Sequence, residues 1–426
     1  MRLNKTLLLL VVAVFFVACG SPLSRLAPRS PVKQERSTKR GFSFNTIYEN
    51  DMYLLSEGCV WGYNWGEGLT NVTIANLFDA FEMDFCPMGW RGVNAERVRN
   101  YVAVHPNTKY LLGMNEPNLT NQANRTPVEA AELWQDYVDL SKELNLKLIS
   151  PAMCHGNLAG YSDPVKWLDE FFALVNPDDI YGIAIHAYMN SASSMKGFID
   201  KFRKYGKPIW LTEFACEFSP VPSENAQIIL MNDMCNYMEA DPLVERYAWF
   251  ILRGGPSSVN NALANNQAQL TLLGNLYNAL SSQDKKVWYV ENQTIEAEKY
   301  SSINSEESVG QGGLKTAPNI RVSTDIYGGF DMTNFTQDMW LEYQIDAPGK
   351  GTYKFSLRYS VAFDSEIELL VNGVKTKTLK LNRSTDTSTS WVTLTEDLYL
   401  EKGKHTLRLA MIEGSGAINW LKFDLP

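Results

Sequence analysis

Two glutamates, Glu116 and Glu213, each follow an apolar run that has the composition of a buried strand. The first stands in MNEPN (114–118) and the second in LTEF (211–214). One acidic residue in such a place most often caps the next helix. Two can act as a pair, in which a protonated carboxyl donates to a leaving oxygen and a carboxylate attacks or activates water. Cleavage of a glycosidic bond needs such a pair.

The elements that must position these glutamates alternate between short apolar runs and longer amphipathic stretches. This alternation is typical of repeated βα units. One helix start is well marked, because Thr126, Pro127 and Glu129 form a capping box with a proline in the first turn. Eight strands are predicted, over residues 40–45, 59–65, 82–88, 110–115, 147–152, 181–188, 208–214 and 246–251.

Eight βα units in about 245 residues predict an α/β fold, a closed (β/α)8 TIM barrel over residues 40–284. An open doubly wound sheet is the alternative, but no glycine-rich phosphate-binding turn follows an early strand. In a barrel the loops after the strands form the active face. Strands four and seven lie across the barrel mouth from each other, so Glu116 and Glu213 are predicted to converge on one bond.

Other polar and aromatic residues stand near the predicted strand ends. His186 and Tyr188 alternate on strand six and therefore face the same side, which favours a hydrogen bond to Glu213. For His186, a histidine with satisfied hydrogen bonds in the core is the alternative. Three tryptophans near the strand ends can stack on sugar rings or pack inside the barrel: Trp65, Trp90 and Trp249. We expect two of these three to contact ligand.

Two motifs, LLGMNEPN (111–118) and PIWLTEF (208–214), resemble the retaining barrel glycosidases of clan A, and most closely glycoside hydrolase family 128. Supporting motifs are WGYNW (61–65), PMGW (87–90), SPA (150–152), HAY (186–188) and YAWF (247–250). The resemblance implies an endo-β-1,3-glucanase with Glu116 as acid/base and Glu213 as nucleophile. It also implies that Asn115 hydrogen-bonds the sugar 2-hydroxyl beside the breaking bond. Retention predicts carboxyl groups about 5 to 5.5 Å apart, and inversion about 6.5 to 9.5 Å.

After residue 284 the composition changes to runs that alternate residue by residue, separated by Pro-Gly, Asn-Gly and Lys-Gly turns. No convincing helix intervenes. This pattern predicts an all-β jelly-roll sandwich over residues 287–426. Its predicted strands are residues 288–298, 339–345, 351–360, 366–371, 391–400 and 405–411.

This second domain resembles family 6 carbohydrate-binding modules in IEAE (295–298), DMWLEY (338–343), GTY (351–353), VNG (371–373) and NWLKFD (419–424). The resemblance implies a structural calcium ion held by carboxylates, which are hard oxygen ligands, on Glu296, Glu298 and Asp424. An exposed strand face without metal is the alternative. The resemblance also implies one ring of a sugar-binding cleft at Tyr327. No cofactor is predicted for catalysis.

The N-terminus has the three parts of an export signal: basic Arg2 and Lys5, an apolar run over 7–18, and small residues around Cys19. The apolar run is too short to span a bilayer as a mature helix. Cys19 resembles the lipobox cysteine of bacterial lipoproteins, which implies removal of residues 1–18 and lipidation of Cys19; an ordinary cleaved signal is the alternative. Residues 19–39 are predicted to form a flexible tether. We expect an exported protein at the outer membrane, at the cell surface or in the periplasm.

Composition restricts the partners of the chain. A length of 426 residues and a hydrophobic content of 45% indicate a globular protein with more than one domain. A net charge of -9 provides no basic surface for a phosphate backbone, which excludes nucleic acid. Five cysteines follow Cys19 without metal-type spacing, which predicts no essential disulfide framework. The expected partners of this monomer are a β-glucan and, through the lipid, a membrane.

Two other functions stay open at this stage. The barrel can act on another β-linked glycan, or the chain can be a surface lipoprotein that binds glycans without cleaving them. The binding hypothesis predicts the loss of a carboxylate, and both Glu116 and Glu213 are present.

Overall fold

The first domain alternates strands and helices from Arg40 to Ala279 in a computed structural model, which describes residues 33–254, 260–304, 308–309, 313–314, 318–384 and 390–425. The strands are β1 (Arg40–Ser43), β2 (Trp61–Tyr63), β3 (Asp84–Phe85), β4 (Tyr110–Leu112), β5 (Lys147–Ile149), β6 (Ile183–Tyr188), β7 (Ile209–Ala215) and β8 (Val244–Trp249). The helices are α1 (Glu49–Leu55), α2 (Val72–Ala80), α3 (Ala95–Val104), α4 (Pro127–Glu143), α5 (Pro164–Phe172), α6 (Ala192–Asp200), α7 (Glu224–Ala240) and α8 (Leu272–Ala279).

All eight strands run parallel around a ring. Six pair in the order β3-β2-β1-β8-β7-β6, and β4 pairs with β5. Two parallel bridges join these pieces, Met88 with Leu112 and Ile149 with Gly182. The predicted (β/α)8 barrel is therefore confirmed, and every strand overlaps its predicted range.

Side chains at the helix starts explain why the helices begin where they do. The N–H of Glu129 donates to Thr126 Oγ1 at 3.3 Å, and the N–H of Thr126 donates to Glu129 Oε2 at 2.8 Å. This is the predicted capping box of α4. In six further helices the capping side chain also accepts from a first-turn N–H: Asn71, Asn94, Asp163, Ser191, Ser223 and Thr271.

The inside of the barrel is packed rather than open. A cluster of buried residues that includes Trp61, Tyr110 and Trp210 fills it, and the Trp61 and Trp210 rings meet edge to face with centroids 5.3 Å apart. Trp65 and Trp90 pack against the same cluster from its partly exposed side. The filled interior forms a firm floor beneath the loops that follow the strands.

The second domain is a two-sheet sandwich, as predicted. One sheet has the order β14-β15-β22-β17-β20 with β10 beside β22, and the other has the order β11-β16-β21-β18-β19 with β9 beside β16. The strands are β9 (Tyr289–Val290), β10 (Ile295–Glu296), β11 (Ser302–Ile303), β12 (Ser308–Val309), β13 (Gly313–Leu314), β14 (Asn319–Val322), β15 (Phe330–Thr336), β16 (Trp340–Ala347), β17 (Gly351–Ser360), β18 (Ser365–Val371), β19 (Val374–Leu381), β20 (Val392–Leu400), β21 (Gly403–Glu413) and β22 (Ser415–Asp424).

Residues 288–298 are two short strands rather than the single predicted strand. β9 pairs with β16 in one sheet, and β10 pairs with β22 in the other. Between them Asn292 has a φ of 63°, a left-handed conformation that breaks the extended chain. The backbone therefore crosses from one sheet to the other at this point.

Buried polar contacts join the sandwich to the barrel. The hydroxyl of Tyr300 donates to Oδ1 of Asn236 on α7 at 2.6 Å. On the same helix, Asn232 Nδ2 donates to the carbonyl of Pro318 at 3.3 Å and its Oδ1 accepts from the N–H of Ile320 at 3.3 Å. Because these groups are buried, breaking the contact would leave them unsatisfied, which favours a fixed arrangement of the two domains.

The five cysteines after Cys19 are buried and unpaired: Cys59, Cys86, Cys154, Cys216 and Cys235. Burial raises the pKa of the Cys59 thiol to about 12, which makes it a poor nucleophile. In the described parts of the chain, no helix is both long and apolar enough to cross a membrane. The export signal, Cys19 and the first part of the tether lie outside the described residues, so export and lipid anchoring stay predictions.

Candidate active site

A cleft of about 730 Å³ opens at the carboxyl ends of the barrel strands. Glu116 follows β4, and Glu213 lies within β7. Both lie in the wall of the cleft and are almost fully buried. The side chains that line it are Asn45, Asn64, Trp65, Trp90, Asn115, Glu116, Leu119, Asn121, Gln122, Cys154, His155, His186, Tyr188, Met189, Glu213, Phe218 and Phe250.

Two residues of this cleft have a strained backbone. Glu116 has a φ of 44° and Trp65 a φ of 62°, in the left-handed region that side chains with a Cβ seldom adopt. A hydrogen bond from the Glu116 N–H to the carbonyl of Ala152 at 3.0 Å helps to hold this conformation. Such strain costs about 1–3 kcal/mol per residue and is typical of functional sites.

The carboxylate of Glu213 accepts hydrogen bonds at both of its oxygens. The hydroxyl of Tyr63 and Nε1 of Trp65 each donate to Oε1 at 2.8 Å. The hydroxyl of Tyr188 donates to Oε2, as predicted for strand six. Three donors from β2, its following loop and β6 thus hold the carboxylate in one orientation.

His186 lies between the two carboxylates. Its Nδ1 is 2.8 Å from Oε1 of Glu116 and 3.4 Å from Oε2 of Glu213. The prediction of a contact with Glu213 is therefore incomplete, because the shorter contact joins His186 to Glu116. One ligand atom from each of the three side chains lies within 4.8 Å of the other two.

The closeness of these groups changes their affinity for protons. Burial raises the pKa of the Glu213 carboxyl above its ordinary value, against the opposing effect of His186, and the charge of Glu116 adds to the rise. Burial lowers the pKa of His186, but the carboxylates of Glu213 and Glu116 outweigh it and raise that pKa overall. The cluster therefore binds protons more tightly than an isolated glutamate does. Such a cluster can donate and accept protons in turn.

The three predicted tryptophans have different surroundings. Trp65 and Trp90 line the cleft and are partly exposed. Trp249 is fully buried, and its Nε1 donates to the carbonyl of Asn261 at 2.7 Å. Its ring meets Phe214 edge to face at a centroid distance of 4.9 Å. The prediction that Trp249 contacts ligand is wrong, because a ring enclosed in the core cannot stack on a sugar.

Several residues at the cleft were not predicted from the sequence. Tyr63 stands two residues before Trp65 in WGYNW. Residues two apart on a strand face the same side, as His186 and Tyr188 do, so this spacing could have placed Tyr63 on the side of Trp65. His155 lines the cleft beside the ring of Phe198. Phe218 and Phe250 add two aromatic rings to the cleft wall.

The calcium ligands predicted in the sandwich do not fit one ion. Glu296 pairs with Trp420, and the N–H of Ala297 bonds to the carbonyl of Asn419, so Glu298 lies further along β22 toward its start. Asp424 ends that strand four residues beyond Trp420, which is about 13 Å along the strand at 3.3 Å per residue. Among the described residues, one group of three or more histidine, cysteine, aspartate or glutamate side chains has its ligand atoms within 4.8 Å of one another. That group is Glu116, His186 and Glu213, and none of the predicted calcium ligands belongs to it.

Asp424 instead forms an ion pair with Lys422 at 3.0 Å. The prediction that Glu296, Glu298 and Asp424 share a calcium ion is therefore corrected. Tyr327, predicted as a ring of a sugar cleft, is 67% exposed. It meets Trp420 edge to face at 6.2 Å, with the guanidinium of Arg358 over its ring at 5.2 Å.

A measurable consequence follows for Glu298. Burial raises the pKa of its carboxyl to about 7, so the folded chain keeps a proton that the unfolded chain has lost. Stability therefore falls as the pH rises from about 4.5 to 7. We expect Glu298→Gln to be more stable than the unaltered chain at pH 8, by up to about 3 kcal/mol, and equally stable at pH 4. Thermal unfolding at both pH values tests this.

The exposed Glu413→Gln is the control for that comparison, because the side chain of Glu413 faces solvent in both states. A Glu298→Gln chain that melts at a lower temperature than the unaltered chain at pH 8 would contradict the prediction. Such a loss would mean that the buried carboxylate is stabilised in its charged form.

Comparison with known proteins agrees with this geometry. Residues 41–277 match the glycosyl hydrolase catalytic core family, and residues 305–425 match carbohydrate-binding module family 6. The chain is 34% identical to a subgroup II endo-β-1,3-glucanase of glycoside hydrolase family 128 from Pseudomonas viridiflava. That alignment covers 57% of this chain and 98% of the other, with a TM-score of 0.53. The chain belongs to glycoside hydrolase family 128.

Two further relatives match the same barrel. A family 128 subgroup II endo-β-1,3-glucanase from Sorangium cellulosum is 30% identical, over 56% of this chain and 97% of that one, with a TM-score of 0.52. Alkali-sensitive linkage protein 1 of Schizosaccharomyces pombe is 27% identical over 252 residues, and this chain spans only 42% of that protein. The chain is thus a glycoside hydrolase of the family 128 β-1,3-glucanases with a C-terminal family 6 carbohydrate-binding module.

Proposed function

We propose that this family 128 chain is a retaining endo-β-1,3-glucanase that cleaves its substrate by double displacement. The observation that carries the proposal is that one oxygen of Glu116 and one of Glu213 lie within 4.8 Å of each other. Carboxyl groups about 5 to 5.5 Å apart, the separation of a retaining pair, bring their nearest oxygens this close, and the proposal of retention rests on that agreement.

In the first step Glu213 attacks the anomeric carbon, and Glu116 donates its proton to the leaving glycosidic oxygen. The glycosidic bond breaks, and a covalent glycosyl-enzyme forms on Glu213. The donors Tyr63, Trp65 and Tyr188 hold the attacking carboxylate in place before the reaction. His186 keeps the carboxyl of Glu116 beside the bond through the 2.8 Å contact with Nδ1.

In the second step Glu116 accepts a proton from water while that water attacks the anomeric carbon. The bond to Glu213 breaks, and the product is released with the β configuration of the substrate. His186 contacts both carboxylates, so it can stabilise the charge as it moves from one to the other. The two glutamates therefore exchange roles without leaving their positions.

The substrate assignment rests on similarity and on the cleft wall. Both subgroup II relatives are endo-β-1,3-glucanases, and the chain covers almost all of each. Trp65, Trp90, Phe218 and Phe250 present aromatic rings to the cleft, and such rings stack well on the apolar faces of glucose units.

A panel of polysaccharides tests the proposal. We expect the chain to hydrolyse linear β-1,3-glucan and to leave β-1,4-glucan and β-mannan unchanged. Proton NMR during the first minutes should record the β-anomer of the new reducing end before mutarotation. Hydrolysis of another glycan alone would favour a different substrate, the α-anomer would exclude retention, and binding without hydrolysis would favour a glycan-binding protein.

The pH profile offers a test of the hydrogen bond from Tyr188. This donor lowers the pKa of Glu213 against the larger, opposite effect of burial. Activity requires Glu213 to be ionised, so kcat/KM falls as the pH drops through its pKa. We expect Tyr188→Phe to move this acidic limb upward by about one pH unit, because a hydrogen bond to a charged group is lost.

Tyr161→Phe is the matched control, since its hydroxyl donates to the exposed Glu170 instead. We expect its kcat/KM profile to coincide with that of the unaltered chain. An acidic limb that stays in place in Tyr188→Phe would contradict the role given to this hydroxyl.

A further inference from the structure

We propose that Gln122 is a positioning residue that orients the side-chain amide of Asn115, so that Asn115 presents its Oδ1 to the substrate as a hydrogen-bond acceptor. The proposal rests on the proposed function, because it assigns the recognition of one sugar hydroxyl at the same site.

The contact between the two amides determines which atom of Asn115 is free. Asn115 Nδ2 donates to Oε1 of Gln122 at 3.1 Å. Among the described residues, Oδ1 of Asn115 has no hydrogen-bond partner, although the side chain is only 3% exposed. Buried polar atoms seldom stay unpaired. Because Asn115 lines the cleft, a hydroxyl of the bound substrate is the partner that would satisfy Oδ1.

The loop that carries Gln122 is itself fixed. Arg91 donates to the carbonyl of Gln122 through Nε at 3.2 Å and through Nη2 at 2.7 Å. The same guanidinium lies over the ring of Trp90, 5.0 Å from its centroid. On the other side, the N–H of Ala123 donates to the carbonyl of Asn115 at 3.1 Å. Gln122 is therefore held at a constant distance from Asn115.

The position of Asn115 in the chain indicates which sugar hydroxyl its side chain contacts. Asn115 directly precedes Glu116, so it reaches the sugar beside the bond that is cleaved. On that ring the 2-hydroxyl is the neighbour of the anomeric carbon, and hydrogen bonds to it strengthen in the transition state. With Nδ2 directed toward Gln122, the unpaired Oδ1 is the acceptor that the amide offers to the sugar, and the 2-hydroxyl donates to it.

A pair of substrates isolates this contact. We would compare two 4-nitrophenyl β-laminaribiosides, of which one carries hydrogen in place of the 2-hydroxyl on the ring next to the nitrophenol. The kcat/KM of the substrate with the 2-hydroxyl is divided by that of the substrate without it. This ratio is measured for the unaltered chain, for Gln122→Glu and for Gln122→Met. Within each variant the ratio cancels losses that affect both substrates equally, including changes in folding or in proton donation.

We expect a ratio of about a hundredfold or more for the unaltered chain, since a site built for a hydroxyl rejects the analogue that lacks it. Gln122→Glu keeps the acceptor and should preserve the ratio. Gln122→Met removes it, frees the amide to rotate and should lower the ratio about tenfold or more.

A full ratio in Gln122→Met would overturn the proposal, because Asn115 would then be oriented without Gln122. A loss in Gln122→Glu equal to that in Gln122→Met would overturn it as well, since Gln122 would then act as the donor. If the unaltered chain cleaves neither laminaribioside nor β-1,3-glucan, the proposed function fails first. These outcomes are distinguishable, since only the last removes activity from the unaltered chain.

Discussion

Glu213→Ala is expected to lower kcat on β-1,3-glucan by roughly 10⁴-fold or more, because the covalent glycosyl-enzyme can no longer form. The fold should persist, since the side chain lies at the cleft and its loss leaves room for water. The donors Tyr63, Trp65 and Tyr188 lose their acceptor, at a cost of about 1–3 kcal/mol in unfolding free energy. Circular dichroism and thermal unfolding separate the two effects.

Azide provides a positive test of the same residue. In Glu213→Ala the small anion can occupy the space of the missing carboxylate and attack an activated β-laminaribiosyl substrate from that side. The product expected is an α-glycosyl azide, formed with inversion in a single displacement. Its identification by NMR would place the nucleophile at Glu213.

Glu217→Gln is the matched control, because it removes an exposed carboxylate four positions further along the chain. We expect it to keep the activity of the unaltered chain. Activity in Glu213→Ala above about one tenth of the original would contradict the assignment, since general acid catalysis alone cannot replace covalent catalysis.

Glu116→Gln is expected to slow the enzyme by an amount that depends on the leaving group. On β-1,3-glucan the leaving sugar oxygen needs a proton, and loss of the general acid should lower kcat by about 10²- to 10⁴-fold. A dinitrophenolate or fluoride leaves without a proton, so glycosylation of Glu213 should stay fast. The second step lacks its base, and the glycosyl-enzyme should accumulate.

Stopped-flow measurement with a dinitrophenyl β-laminaribioside tests this through a burst of dinitrophenolate. Mass spectrometry should detect the sugar attached to the peptide that contains Glu213. The exposed Glu132→Gln, on α4 after the same strand, serves as control and should show no burst beyond that of the unaltered chain. An equal loss of kcat/KM, which reports the glycosylation step, on glucan and on the activated substrate would contradict the role of Glu116 as proton donor.

Sequence was sufficient for the barrel and for the two carboxylates. Each barrel strand is a short apolar run, and each is followed by a polar loop at the same end of the barrel. A local pattern therefore determines on which face Glu116 and Glu213 lie. Their approach to within 4.8 Å follows from the closure of the ring, which the strand count alone predicts.

Contacts between residues far apart in the chain were not determined by local pattern. Trp65 and Trp249 both stand near strand ends, yet one lines the cleft and the other is enclosed by Phe214 and Asn261. Burial of a large ring depends on which side chains surround it. Those neighbours come from other strands, which is why the sequence did not separate the two tryptophans.

In the sandwich, too, the sequence pattern predicts the strands but not which residues of two paired strands lie opposite each other. Its strands alternate visibly, but Glu298 and Asp424 were assigned to one ion before their register was known. Pairing of β10 with β22 places Glu296 opposite Trp420, four residues before Asp424 at the end of the strand. A register between segments more than 100 residues apart depends on the packing of the whole sheet.

The sequence by itself thus determined the (β/α)8 barrel, the sandwich and the carboxylate pair, because each leaves a periodic or local signal. Only the tertiary structure decided that His186 lies closer to Glu116 than to Glu213, and that Gln122 engages Asn115. Both are side-chain distances of a few ångströms. They depend on how loops and strands from different units pack together, and no spacing along the chain encodes them.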